Sequence, residues 1–139
     1  MFTAEMIAPC GLDCSLCGFA HVKEKPCLGC NVDSETKPEF CAKWCKIIPC
    51  EKRVKNGWQY CDECPDYPCE DMRERETRYT TQYPLKESPM ENLRQIRMLG
   101  MEAFLERERG KWTCGKCGGP ICVHSGLCRD CGADYGTAT

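Results

Sequence analysis

Near its C-terminus the chain reads Cys114-Gly-Lys-Cys117-Gly118, then Cys128-Arg-Asp-Cys131-Gly132 after ten residues that contain the apolar stretch Ile121 to Val123. Two C-x2-C pairs at this separation can place four thiolates at the corners of a tetrahedron, a donor set that selects zinc or iron over oxygen-preferring ions. A glycine follows each pair, where the chain must turn tightly through positive φ. The spacing predicts a zinc ribbon with a short β-hairpin, its ion held by Cys114, Cys117, Cys128 and Cys131. With every position filled by protein there is no place for a reacting water, so the expected role is structural. Cys122 and His124 share one face of the intervening strand. Either could replace a ligand, but the complete four-cysteine set makes that unnecessary, and they read as a buried apolar cysteine and a surface histidine.

The N-terminal part repeats the arrangement. Cys14-Ser-Leu-Cys17-Gly18 and Cys27-Leu-Gly-Cys30-Asn31 are nine residues apart, and each is followed by a residue that tolerates positive φ. Cys14, Cys17, Cys27 and Cys30 are therefore assigned to a second site, with His21 in the intervening loop as the alternative ligand. A third set is Cys45, Cys50, Cys61 and Cys64. Pro65 after Cys64 cannot take positive φ, so the geometry there must differ. Cys41, on one helical face with Cys45, and Cys69, at a helix start that favours thiolates, can each replace a member of this set. Cys10, Cys41, Cys69 and Cys122 are left without assigned metal.

Sixteen of 139 residues are cysteine, above the roughly 8–10% that marks a disulfide or metal scaffold. Met1 to Pro9 show no basic segment followed by an apolar run, and no stretch reaches the length of a membrane span. A reducing cytoplasm is expected, where paired cysteines read as metal ligands. Leu, Ile, Val and Phe number only 21 of 139, too few to offset chain entropy by burial alone. A structural zinc site is worth roughly 10–16 kcal/mol, so two to three ions can supply the difference, and the metal-free chain is expected to be largely unfolded. The formal charge is −2 before the thiolates are counted, and basic residues alternate with acidic ones in Arg73-Glu74-Arg75-Glu76 and Glu106-Arg107-Glu108-Arg109. That pattern is a solvated helix surface rather than the clustered basic face that nucleic acid requires.

Cysteine placement divides the chain into a cysteine-rich domain (1–72), a helical segment (73–111), the ribbon (112–132) and a small polar tail (133–139) expected to be disordered. In the middle, one helix should start near Pro68, with Glu70 and Asp71 in its first turn, and run to about Tyr79. A second opens on the capping box Ser88-Pro89-Met90-Glu91 and should run to Gly110. Leu93, Ile96, Leu99, Ala103 and Phe104 form one stripe of it, with Gly100 in the middle to admit another backbone. Met98, Met101 and Leu105 form a second patch, suited to internal packing or to a partner.

The ordered series Cys10-Gly-Leu-Asp-Cys14-Ser-Leu-Cys17, Cys27-Leu-Gly-Cys30, Cys45-Lys-Ile-Ile-Pro-Cys50 and Tyr60-Cys61-Asp-Glu-Cys64-Pro-Asp-Tyr-Pro-Cys69 resembles the family called domain of unknown function 3795, over about residues 6–72. The resemblance implies zinc binding, raises Cys10 and Cys69 as structural positions, lowers Cys41, and brings no substrate or reaction. Cys10-x3-Cys14-x2-Cys17 also has the spacing of the radical S-adenosylmethionine signature. Such enzymes need a large βα barrel, for which this chain has neither the length nor the alternating pattern, and Leu16 stands where they carry an aromatic. The expected fold is thus a small metal-stabilised α plus irregular protein, with zinc knuckles in its N-terminal part. Its expected role is an interaction or regulatory module with protein partners. The alternatives are an iron–sulfur, metal-handling or redox-sensing protein, or an enzyme with an open metal site among Cys41 to Cys69.

Overall fold

A computed structural model describes residues 2–17, 20, 27–32, 37, 41 and 45–136. Among the described residues, four α-helices carry the fold: α1 (Glu51–Lys55), α2 (Glu70–Thr81), α3 (Pro89–Leu99) and α4 (Met101–Trp112). Among the described residues, β structure is limited to isolated antiparallel bridges, three of which lie in the C-terminal unit: Thr113 with Pro120, Ile121 with Cys128, and Leu127 with Asp134. The expected short hairpin is therefore reduced to single bridging pairs, because turns around the cysteines interrupt every potential strand. None of the described helices is long and apolar enough to cross a membrane.

The helix predicted from Ser88 to Gly110 is two helices. Gly100 takes φ +89° and ψ 158°, outside helical geometry, and the chain folds back so that α4 packs against α3. The break lets Leu93 of α3 and Phe104 of α4 enter one core, both essentially without exposure. No atom lies within 4 Å of a Cβ built on Gly100, so that glycine serves the turn and not a close backbone approach. Helix α4 continues through Gly110 to Trp112, because burying the indole outweighs the roughly 1 kcal/mol cost of a helical glycine. The Ser88 cap forms as expected, its Oγ accepting from the Glu91 amide at 3.0 Å. The reciprocal half does not: Glu91 pairs with Arg94, and the Ser88 hydroxyl donates to Glu76 of α2. Met101 and Leu105 pack on the core, whereas Met98 stays exposed, so the second apolar patch is divided.

Two apolar cores result. One gathers Ile7, Leu12, Ile47, Met72, Leu93 and Phe104; the other gathers Phe2, Leu16, Trp112, Ile121 and Val123. Residues 2 to 16 pass through both, so this N-terminal stretch ties the helices to the C-terminal unit. Gly11 fixes that path. It has φ +99°, and a Cβ there would lie 2.2 Å from the Pro89 carbonyl oxygen and 2.9 Å from Leu93 Cγ. Asn92 Nδ2 donates to the Gly11 carbonyl at 2.9 Å and to Glu87 Oε2 at 3.1 Å, and the Asp13 amide donates to the same Glu87 oxygen at 2.8 Å.

Burial pushes the Glu87 carboxyl up to about 8 although Asp13 and Asn92 donate to it. Glu108, buried beside Asp13, is raised to about 9 by burial and then by that contact. Both groups bind protons in the folded state that the unfolded chain has released. Their contribution is complete below the ordinary carboxyl value and is lost as pH rises through about 8 to 9.

Two predictions follow from this packing. Gly11→Ala should lower stability by about 2–4 kcal/mol, read as a fall in the urea midpoint at unchanged slope, because it adds both a strained φ and a backbone clash. Glu87→Gln should gain about 2 kcal/mol relative to the parent chain between pH of about 6 and about 9. Comparing the two proteins at each pH cancels the pH dependence of metal binding, and a constant difference would refute the assignment.

Candidate metal centre

Cys114, Cys117, Cys128 and Cys131 converge in the C-terminal unit, with all four sulfurs within 4.8 Å of one another. Cys114 Sγ lies 3.7 Å from Cys131 Sγ, and Cys117 Sγ lies 3.4 Å from Cys128 Sγ. A tetrahedron with metal–sulfur bonds of about 2.3 Å has edges of about 3.8 Å, so the donors stand at the separations a zinc-sized ion needs. Cys114 and Cys128 face the second core, while Cys117 and Cys131 face solvent.

The local sequence builds this geometry. Gly118 and Gly132 take φ +79° and +77°. Each closes a turn by donating its amide to the carbonyl of the first cysteine, at 2.9 Å to Cys114 and 3.0 Å to Cys128. The turns aim backbone N–H groups at sulfur: Lys116 N lies 3.4 Å from Cys114 Sγ, and Gly119 N lies 3.4 Å from Cys117 Sγ. Tyr135 adds a side-chain donor, its hydroxyl 3.1 Å from Cys114 Sγ.

These donors set the sulfur charges. Chiefly through Tyr135, with the Cys117 and Lys116 amides, the Cys114 thiol is drawn down to about 6 against its burial. Burial works against the Cys128 thiolate, but the Cys131 and Asp130 amides outweigh it and leave that thiol below its ordinary value. The Gly119 amide favours a Cys117 thiolate, yet the neighbouring sulfurs of Cys128 and Cys131 hold that thiol up at about 12. Four clustered thiolates repel one another, and a dication at their centre removes the conflict. The donor set fits a metal ion on this ground as well as on distance.

The other eight assigned cysteines are placed differently. Among the described residues, no further set of three or more donors lies within 4.8 Å. The Cys30 amide donates to Cys14 Sγ at 3.3 Å, and the Cys30 thiol meets Cys14 and Cys41. Burial pushes the Cys27 thiol up, against the Gly29 amide that favours its thiolate, and Cys17 and Cys41 are among the groups that act on it. His21 lies outside the described residues. Arg75 reaches from α2 to Cys45 Sγ at 3.6 Å and to Cys10 Sγ at 3.9 Å. Burial holds the Cys10 thiol up at about 11 and the Cys61 thiol at about 12. Cys50 and Cys69 stand at the N-terminal boundaries of α1 and α2, neither with a side-chain capping bond. Cys64 Sγ accepts from the Asp66 amide at 3.4 Å.

The N-terminal pairs also use another turn. Cys14–Leu16 and Cys61–Glu63 are single 3₁₀ turns, and both end on a cysteine with φ −78° and ψ 134°. The extended backbone of Cys64 is the conformation that a residue preceding proline requires, so Pro65 can follow it.

Two features were hidden from sequence reasoning. Residues 133 to 136, read as a loose tail, come back onto the unit: the Tyr135 amide donates to the Gly126 carbonyl at 2.8 Å, besides the phenol on Cys114. The available signal was a lone aromatic in a small polar segment. His124 is half-buried against Tyr79 and Tyr83 rather than on the surface, its Nε2 3.1 Å from the Tyr79 hydroxyl. Nothing local announced that partnership, since α2 and the loop after it supply both rings.

Tyr135→Phe should weaken metal binding roughly 10-fold in competition with a chromophoric chelator, as expected for loss of a hydrogen bond to a ligand atom. An unchanged affinity would show that the phenol only packs.

No curated protein and no solved structure matches the chain. Residues 6–74 match the family described as protein of unknown function (DUF3795), and it is to this cysteine-rich family that the chain belongs through its N-terminal half.

Proposed function

We propose that the cluster of Cys114, Cys117, Cys128 and Cys131 holds one zinc ion in a structural role, and that the chain is a zinc-stabilised module acting through contacts with other proteins. The observation that carries this reading is closure: four protein sulfurs lie within 4.8 Å, leaving no coordination position for a substrate or a reacting water. The second core supports it, since Cys114 and Cys128 are packed among Trp112, Ile121 and Val123. The cluster lies outside the residues that match the family, so it is an addition to the family's cysteines rather than one of them.

The sets Cys14, Cys17, Cys27, Cys30 and Cys45, Cys50, Cys61, Cys64 are proposed to contribute one or two further ions. The choice of protein over nucleic acid rests on charge. Arg78 with Glu74, Arg94 with Glu91, and Arg109 with Glu106 are paired along the helices, which dilutes any basic face. Met98, 67% exposed, and Leu99, 43% exposed, offer apolar contact area at the α3–α4 corner.

Elemental analysis and an absorption spectrum of protein purified without air test the metal. The expected outcome is bound zinc and no visible colour, with Cys117→Ser losing one equivalent per chain together with much of the thermal stability. Iron with visible sulfur-to-metal absorption would replace this reading by an iron–sulfur or redox protein.

A further inference from the structure

A cleft of about 320 Å³ lies where α3 is flanked by the end of α2, the α2–α3 loop and α4. That size is at the lower end of small-molecule pockets. Every described side chain in its wall is polar or charged, and three are cations: Lys86 from the loop, and Arg107 and Lys111 from α4. The loop is pinned there by the Glu87 amide, which donates to the Tyr79 carbonyl at 3.1 Å. Arg107 and Lys111 are four residues apart, so helical geometry stacks them on one face.

The acids nearby are already engaged. Glu91 accepts from Arg94 Nε at 2.7 Å and from Gln95 Nε2 at 3.3 Å. Glu76 takes the Ser88 hydroxyl at 2.7 Å and the Met90 amide at 3.0 Å. The three cations are not engaged: among the described residues none of them makes an ion pair, although Arg78, Arg94 and Arg109 do. Lys111 has its Nζ 5.0 Å from the Trp112 ring and stands in the last turn of α4, where the carbonyl end favours a cation. Arg107 has neither, and a like charge four residues on works against its helix. Glu108 belongs to the same wall, is 5% exposed, and its Oε2 meets no donor of the chain. Burial and then the Asp13 contact raise its carboxyl to about 9, so at neutral pH it sets no charge against an anion.

We infer that this cleft binds a small hydroxylated phosphate ester, its phosphate group held by Lys86, Arg107 and Lys111. Such a group carries nearly two negative charges at neutral pH and offers several strong acceptor oxygens. The planar N–H pair of Arg107 matches two of those oxygens, and the two ammonium groups supply compact charge. The rest of the ligand is hydroxylated rather than apolar or aromatic, because no described apolar side chain lines the cleft. One of its hydroxyls supplies the donor that Glu108 Oε2 lacks. Three cations in one cleft suit a small anion and fall short of the extended basic face that nucleic acid requires. Every residue of the site lies beyond the family-matching stretch, so the ligand is a property of this chain's own second half.

The test is isothermal titration calorimetry of the full-length chain with glycerol phosphate and with inorganic phosphate, in phosphate-free buffer at an ionic strength fixed with chloride. Saturable binding of one glycerol phosphate per chain is expected, tighter than that of inorganic phosphate. Lys86→Gln and Arg107→Gln should each weaken it roughly 10-fold, as for loss of one hydrogen bond to a charged group. Lys55→Gln removes the same charge from α1 and should leave the affinity at the parental value. Absence of binding by the parent chain, or an equal loss in Lys55→Gln, overturns the site, and equal affinities for the two ligands overturn the assignment to an ester. A second measurement needs no variant: nitrogen-15 amide shifts in the parent chain should gather on residues 86–88 and 107–111 as glycerol phosphate is added. Shifts that avoid both segments refute the proposal.

Discussion

Backbone N–H groups aimed at a sulfur favour its thiolate, and a protein poor in apolar side chains can build on that. The C-terminal unit depends on this constraint. Its turns are made by glycines whose amides fold back onto the preceding cysteine carbonyl, and the turns aim the Lys116 amide at Cys114 Sγ and the Gly119 amide at Cys117 Sγ. Two of the four sulfurs then form part of a core with Trp112, Ile121 and Val123. The chemistry that concentrates negative charge and the packing that excludes water are one structure, which is why a cation is the natural complement of the unit.

The remainder of the fold is attached to this unit by the N-terminal stretch. Phe2 and Leu16 enter the second core, while Ile7 and Leu12 between them enter the helical one. The crossing is held by polar contacts rather than by bulk: Gly11 lies against the Pro89 carbonyl, and Glu87 and Asn92 satisfy the Asp13 amide and the Gly11 carbonyl. Buried polar groups of this kind are costly when unpaired and give a unique register when paired. The small helix α1 and the loop before it are secured similarly, by Arg53 donating to the Ile48 carbonyl at 2.6 Å and the Trp58 carbonyl at 3.0 Å.

Much of the C-terminal unit was legible in residue order. Cys114, Cys117, Cys128 and Cys131 carry their spacing and their glycines in sequence, since a C-x2-C-G turn is closed by its own amides. The Ser88 cap and the extent of α2 were legible for the same reason. The break at Gly100 was not, because the apolar stripe from Leu93 to Phe104 satisfies an unbroken helix equally well. Only the core that receives both side chains requires the chain to fold back. The N-terminal pairs show less: among the described residues Cys14, Cys17, Cys27 and Cys30 are not gathered within 4.8 Å, and the Cys30 amide donates to Cys14 Sγ. Pairs joined by 3₁₀ turns leave the approach of one pair to another to the long connections between them.

Taken alone, the sequence determined that this chain is built around thiolates, that its C-terminal four act together, that helices occupy its middle, and that its first half belongs with a cysteine-rich family. Each of these is encoded within a few residues or in composition. The tertiary structure alone decided which groups meet across the chain: Tyr135 on Cys114, Arg75 between Cys10 and Cys45, and His124 on Tyr79. Those contacts join residues up to 65 positions apart in the chain, from Cys10 to Arg75. No local periodicity or turn signal reaches so far. They exist because two small cores, with the N-terminal stretch threaded through both, set the distances.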